Sequence, residues 1–161
     1  MDNRRTIDPI ARFLQEHDHA LQELSSLGKA VKGLEENGWT PDAGRRIARA
    51  LEFINDEVGV HNGREEEALF PVLERYVEGP TQAMRAEHVV LAKEFRRLRR
   101  AAAALRKKND DAANIAAFAS SARGVIQIFV NHIHKENHIL FPLVRKFLTK
   151  DALREVARRM V

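Results

Sequence analysis

The chain has no cysteine. Disulfides, thiolate metal sites and cysteine nucleophiles are therefore all excluded, and any metal ion must be held by nitrogen and oxygen. Glycine and proline are scarce, at 8 and 5 of 161 residues, while alanine, leucine, glutamate, lysine and arginine dominate, which favours helix over sheet. Long apolar runs are missing as well. No stretch is read as approaching the ~20 apolar residues that span a bilayer. The opening MDNRRTIDPIARFL lacks the apolar centre of a secretory signal. The expectation is a cytoplasmic protein with no membrane partner. Its length suits one domain over 1–161 with a sizeable core.

Positive charge is in modest excess, at +4. Arg96, Arg97, Arg99, Arg100, Lys107 and Lys108 cluster on one segment, yet no nucleic-acid motif or interleaved aromatic accompanies them. They read as the solvated face of a helix, and no nucleic-acid partner is expected.

Turn signals cut the chain into four long segments. Asp8-Pro9 and Thr40-Pro41 each pair an N-cap with proline at the first helical position. Gly38, Gly79-Pro80 and Asn109-Asp110 mark the intervening turns. Helices are expected near 8–36, 41–77, 81–107 and 111–148, with a short amphipathic one from about Asp151 to Met160 presenting Leu153, Val156 and Met160. The fold class is all-α: an up-down-up-down four-helix bundle with a short C-terminal helix.

Each segment carries an apolar seam at spacings of three and four. The first runs through Ile10, Leu14, His17, Leu21, Leu24, Val31 and Leu34, and the second through Ile47, Leu51, Ile54, Val58, His61, Glu65, Ala68 and Val72. The third holds Met84, His88, Leu91, Phe95, Leu98, Ala102 and Leu105. The fourth holds Ile115, Phe118, Ala122, Val125, Phe129, His132, Glu136 and Ile139. The strongly polar members are four histidines and two glutamates.

These residues also repeat. A shift of 71 residues places Glu16-His17 on Glu87-His88, His61 on His132, Glu65 on Glu136, and Leu69-Phe70-Pro71 on Leu140-Phe141-Pro142. The chain reads as two helical hairpins of one plan, roughly 8–77 and 81–148.

A carboxylate buried in a seam costs several kcal/mol unless it is protonated, paired or metal-bound. No lysine or arginine occupies a seam position to pair with Glu65 or Glu136. In His61-x-x-x-Glu65 and His132-x-x-x-Glu136 the two side chains lie one turn apart on one face. Each of these helices thus offers an imidazole and a carboxylate, and the opposing helices add His17 and His88. Carboxylates can bridge ions ~3.5–4 Å apart. The set His17, His61, Glu65, His88, His132 and Glu136 is expected to hold two metal ions. Nitrogen with oxygen suits iron, with manganese or zinc as alternatives. His19 lies about 200° round the helix from His17 and cannot share its face. His134 and His138 fall opposite His132 and Glu136, in a solvated or interhelical role.

The segments HNGREEEALFP at 61–71 and HIHKENHILFP at 132–142, with Glu16-His17 and Glu87-His88, resemble the hemerythrin-like (HHE cation-binding) domain family. The likeness runs from about Ile10 to Phe147. It implies a non-haem di-iron centre, oxo- or hydroxo-bridged, inside an up-down bundle. There are departures. Ala92 stands where oxygen-carrying hemerythrins place a second histidine of the third helix, and His132-x-x-x-Glu136 replaces their closing His-x-x-x-x-Asp. Asn137 stands where the second family motif carries another glutamate. These departures point away from reversible oxygen carriage. The resemblance to di-iron repair proteins of nitrosative stress covers the ligands only. The expected partners are small diatomic molecules or peroxide, bound or reacted at the four-His two-Glu centre. The alternative is an oxygen or iron sensor or an iron store without turnover. Glu66, or a water held in place of the absent histidine, is the candidate for any ligand beyond the six.

Overall fold

The structure is a computed structural model and describes residues 8–161. The reading that the extreme N-terminus carries no secretory signal falls partly on residues 1–7, outside the described ones. Among the described residues the regular structure is entirely helical.

Helix α1 spans Pro9–Asn37. Asp8 caps it, its carboxylate accepting from the Ile10 amide at 3.0 Å, and Gly38 ends it at φ 75, a left-handed conformation that glycine adopts at little cost. Helix α2 starts at Pro41 behind the Thr40 cap. It runs unbroken through Pro41–Phe53, Ile54–Val58, Gly59–Arg64, Glu65–Leu69 and Phe70–Leu73, the second and fourth of these being π-helical. It stops at Leu73 rather than 77, because the chain then tightens into i→i−3 bonds from Arg75 to Val72 at 3.2 Å and Tyr76 to Leu73 at 2.9 Å. Gly79, at φ 151, turns the chain into α3, Pro80–Lys107. Helix α4 is Ala112–Phe147, capped by Asp111, with a π-helical turn at Glu136–Leu140. Helix α5 is Lys150–Arg159, capped by Thr149.

Two of the π turns begin at Glu65 and Glu136, and each ends just before the repeated Phe-Pro. Proline lacks an N–H and clashes with the carbonyl one α-turn back. A widened turn removes that conflict, and such turns gather at functional sites. The widening corrects one seam residue. Ile139, expected inside, is 54% exposed, while Leu140 is fully buried, because the wider turn carries Leu140 round to the face of Glu136.

Helix α1 packs on α2 and α4, α3 packs on α4, and α5 closes against α1 and the π turn at 65–69. The buried apolar side chains form two clusters. One centres on Leu24, Leu34, Leu98, Phe118 and Phe129; the other holds Ile10, Phe13, Phe70, Met84, Phe141 and Val156. Helix α5 contributes Ala152, Val156 and Met160 to the second cluster, with Leu153 only partly buried against it. Between the two clusters lies a polar layer of His17, His61, Glu65, His88, His132 and Glu136, all buried.

One membrane expectation needs correction. Helix α4 is long and apolar enough by length and composition to cross a bilayer. Its Ala-rich start and Ile-Phe-Val run raise the apolar content, and one face of the same helix supplies Phe118, Val125, Phe129 and Ile133 to the core.

Candidate metal centre

Helices α1, α2, α3 and α4 each turn a histidine into the polar layer, and α2 and α4 add a glutamate one turn further on. Donor atoms of His17, His61, Glu65 and Glu136 all lie within 4.8 Å of one another, and so do those of Glu65, His88, His132 and Glu136. The two quartets share both carboxylates. Glu65 Oε1 is 2.9 Å from His61 Nε2 and 3.7 Å from His88 Nε2. Glu136 Oε1 is 3.3 Å from His17 Nε2 and 3.0 Å from His132 Nε2. Each carboxylate therefore faces one imidazole from each hairpin.

The electrostatics of this cluster are unresolved by protein groups alone. Both oxygens of Glu65 and Glu136, with Nε2 of His88 and His132, are buried without a well-formed hydrogen bond. Burial, and then the charge of Glu136, push the Glu65 carboxyl well above its ordinary value. Burial opposes ionisation of Glu136 too, but Glu65, His132 and His17 face it and hold it well below. Burial lowers His88, against the pull of Glu66. A cluster of orphaned carboxylate oxygens and imidazole nitrogens, with no lysine or arginine among them, is a donor set that fits divalent cations.

The imidazoles are held from behind. His17 Nδ1 lies 2.6 Å from Asn137 Oδ1, and His61 Nδ1 3.3 Å from Glu16 Oε2. His88 Nδ1 lies 2.9 Å from Glu66 Oε1, and His132 Nδ1 3.6 Å from Glu87 Oε1. For His17, His61 and His88 the bonded oxygen places the ring proton on Nδ1 and turns the Nε2 lone pair inward; Glu87 is too far from His132 Nδ1 for a hydrogen bond, and that nitrogen has no partner among the described residues. Glu16 stays ionised despite partial burial, its value lowered by His61, Arg12 and Arg64. Aromatic rings complete the packing. Phe141 stacks on His17 at 5.3 Å and Phe70 on His88 at 6.0 Å, while Phe13 meets His61 edge-on at 5.3 Å.

The six residues singled out from the seams are thus brought together, and the other histidines are not. His19 faces outward, 3.4 Å from Glu57. His134 and His138 are exposed and stack on each other at 5.8 Å. Glu66 sits behind His88 rather than in the cluster. Sequence reasoning did not assign the supporting groups, although Glu16 and Glu87 share the 71-residue shift and carried a usable signal. It also did not foresee two openings. A cavity of about 410 Å³ reaches His17 and His61 past Arg12, Glu16, His19 and Arg64. Another of about 330 Å³ reaches His88 past Asn62 and Ala92. The first is bordered by Phe53, Asp56 and Glu57, and the second by Ile54, Asn55 and Val58, so both flank the π turn at Ile54–Val58.

An all-helical protein with a buried layer of paired histidines and shared carboxylates is the class that this fold and cluster define. The hemerythrin HHE cation-binding domain matches residues 8–144, and the chain belongs to that family. It is similar to the iron-sulfur cluster repair protein YtfE of Yersinia pseudotuberculosis serotype IB (strain PB1/+), at 27% identity over 137 residues, 83% of this chain and 61% of the relative. The YtfE protein of Yersinia pestis (strain Pestoides F) matches with the same identity and coverage. The chain spans about 61% of the length of these curated relatives.

Proposed function

We propose that this chain is a single up-down-up-down bundle domain that holds two iron ions and reacts with a small molecule there: peroxide, nitric oxide or oxygen. His17 and His61 would hold one ion and His88 and His132 the other, with Glu65 and Glu136 available to both. The carrying observation is the pair of donor quartets that share both carboxylates. Bound iron supplies the redox chemistry. The chain's own part is to fix the Nε2 atoms of His17, His61 and His88 through their Nδ1 partners, to offer two buried carboxylates, and to exclude bulk water with Phe13, Phe70 and Phe141.

The opening of about 410 Å³ beside His17 and His61 favours reaction over a purely structural metal, since a cemented site needs no approach from solvent. The relatives' name, iron-sulfur cluster repair, is compatible with a di-iron centre handling reactive small molecules. The position beyond His88 is Ala92, which lines the second opening instead of adding a ligand.

The test starts with elemental analysis of protein expressed with ample iron, which is expected to approach two irons per chain. The anaerobically reduced protein then receives oxygen, peroxide or nitric oxide in separate experiments, followed by near-UV absorption. Irreversible oxidation by oxygen, with slow peroxide consumption or nitric oxide binding, is expected. A colour that forms with oxygen and clears under argon through many cycles would make the protein a carrier or sensor instead.

A further inference from the structure

The two metal positions of the proposed centre have the same inner donors: two imidazoles and the two shared carboxylates. Their surroundings differ. Behind His88 and His132 stand two carboxylates, Glu66 and Glu87, with one ammonium, Lys135, 3.1 Å from Glu87. Behind His17 and His61 stand one carboxylate, Glu16, and one neutral amide, Asn137. Two guanidiniums, Arg12 and Arg64, each lie 3.9 Å from Glu16. Asp56 and Glu57 also border the opening to His17 and His61, and Arg96 and Arg99 the opening to His88, so the difference lies in the groups bonded to the rings and not in the wider charge.

The difference arises at one repeat position. Glu66 and Asn137 are related by the 71-residue shift, and each bonds Nδ1 of the first histidine of the other hairpin. Among the described residues Glu66 is paired with no lysine or arginine, and its hydrogen bond goes to His88. A carboxylate accepting the Nδ1 proton draws the imidazole towards imidazolate and makes Nε2 a better donor, while an amide does so much less.

We propose that the two positions are unequal in strength, the His88–His132 position binding its ion more tightly, and that Glu66 and Asn137 are the positioning residues that set the difference. This rests on the dinuclear reading above. The weaker position is also the one that the larger cavity reaches, so the ion nearest the main opening is the more readily lost and replaced.

The experiment isolates each position and uses Zn²⁺, which is redox-inert, in competition with a chromogenic chelator. The metal-free chain is first checked for two sites at saturating Zn²⁺. His17→Ala then leaves the His88–His132 position, and His88→Ala leaves the other. The first variant is expected to bind its ion about 10-fold or more tighter, the scale on which outer partners act on metal affinity. Adding Glu66→Asn to His17→Ala should weaken binding by about 10–100-fold. Adding Asn137→Glu to His88→Ala should tighten it by a comparable factor. Equal affinities in the two single variants, or affinities that neither second change moves, overturn the proposal while leaving the dinuclear reading intact. Fewer than two sites in the unaltered chain overturns that reading, and the inference with it. Because Asn137→Glu is read as a gain, a misfolded Glu66→Asn variant does not leave the proposal without a test.

Discussion

The glutamates of the polar layer carry more consequence than any exposed histidine. Glu65 and Glu136 are fully buried and each faces imidazoles of both hairpins. Replacing either by alanine removes a charge and the proposed bridge, and loss of at least one ion per chain is expected on elemental analysis. His19→Ala, His134→Ala and His138→Ala should leave the iron content near normal, since those rings face solvent. An emptied centre in the His19 variant with a filled one in His17→Ala would reverse the register of α1. The same pair fixes a pH dependence. With its folded-state value raised, the metal-free Glu65 carboxyl adds stability that is fully present below the ordinary glutamate value of 4.5 and is lost as pH rises through the folded value. Glu136, lowered, adds stability that is present above 4.5 and is lost as pH falls through its folded value. Thermal stability of the metal-free chain should therefore fall on the alkaline side of that range, and Glu65→Gln, which cannot ionise, should flatten the alkaline limb. Metal uptake displaces the Glu65 proton, so affinity should rise with pH over the same window.

At the scale of elements, the repeat accounts for much but not for the π turn at Ile54–Val58, which has no counterpart in α4. A π turn is an α-helix with one residue inserted. Deleting Asn55, an exposed residue that accepts from Arg99 at 3.1 Å, should return this turn to α-helix while His61 and all that follows keep their facing. Unchanged helical content by circular dichroism and unchanged iron content are expected, with altered reactivity towards added peroxide. Iron loss in that variant would mean that the turn itself sets the facing of His61. The turns at Glu65 and Glu136 differ in kind, because each is coupled to a proline at the start of the following α-helical turn.

For the whole molecule, the polar layer separates two apolar clusters that can each pack without metal. The metal-stripped chain should stay helical and melt at a lower temperature than the loaded chain, because bound ions stabilise only the folded state. A stripped chain that melts with the loaded one would argue against ligation by the buried cluster. The second cluster depends on α5. Val156 is fully buried there, and Val156→Ala should cost about 2 kcal/mol from lost burial, measured by denaturant unfolding.

Sequence alone determined the four long helices to within a few residues, the Asp8 and Thr40 caps and the six polar seam residues. Caps and seams are local or periodic signals, written within a few residues of where they act. The 71-residue repeat further related His17 to His88 and Glu65 to Glu136 before any packing was known. Tertiary structure decided what depends on neighbours from other helices. Ile139 turned outward because a widened turn changed the phase of α4. Asn137 met His17, and Glu66 met His88, across helix pairs that no spacing within one helix reports. The two openings likewise exist only once α1, α2, α3 and α4 are packed, because they are built from side chains far apart in the chain.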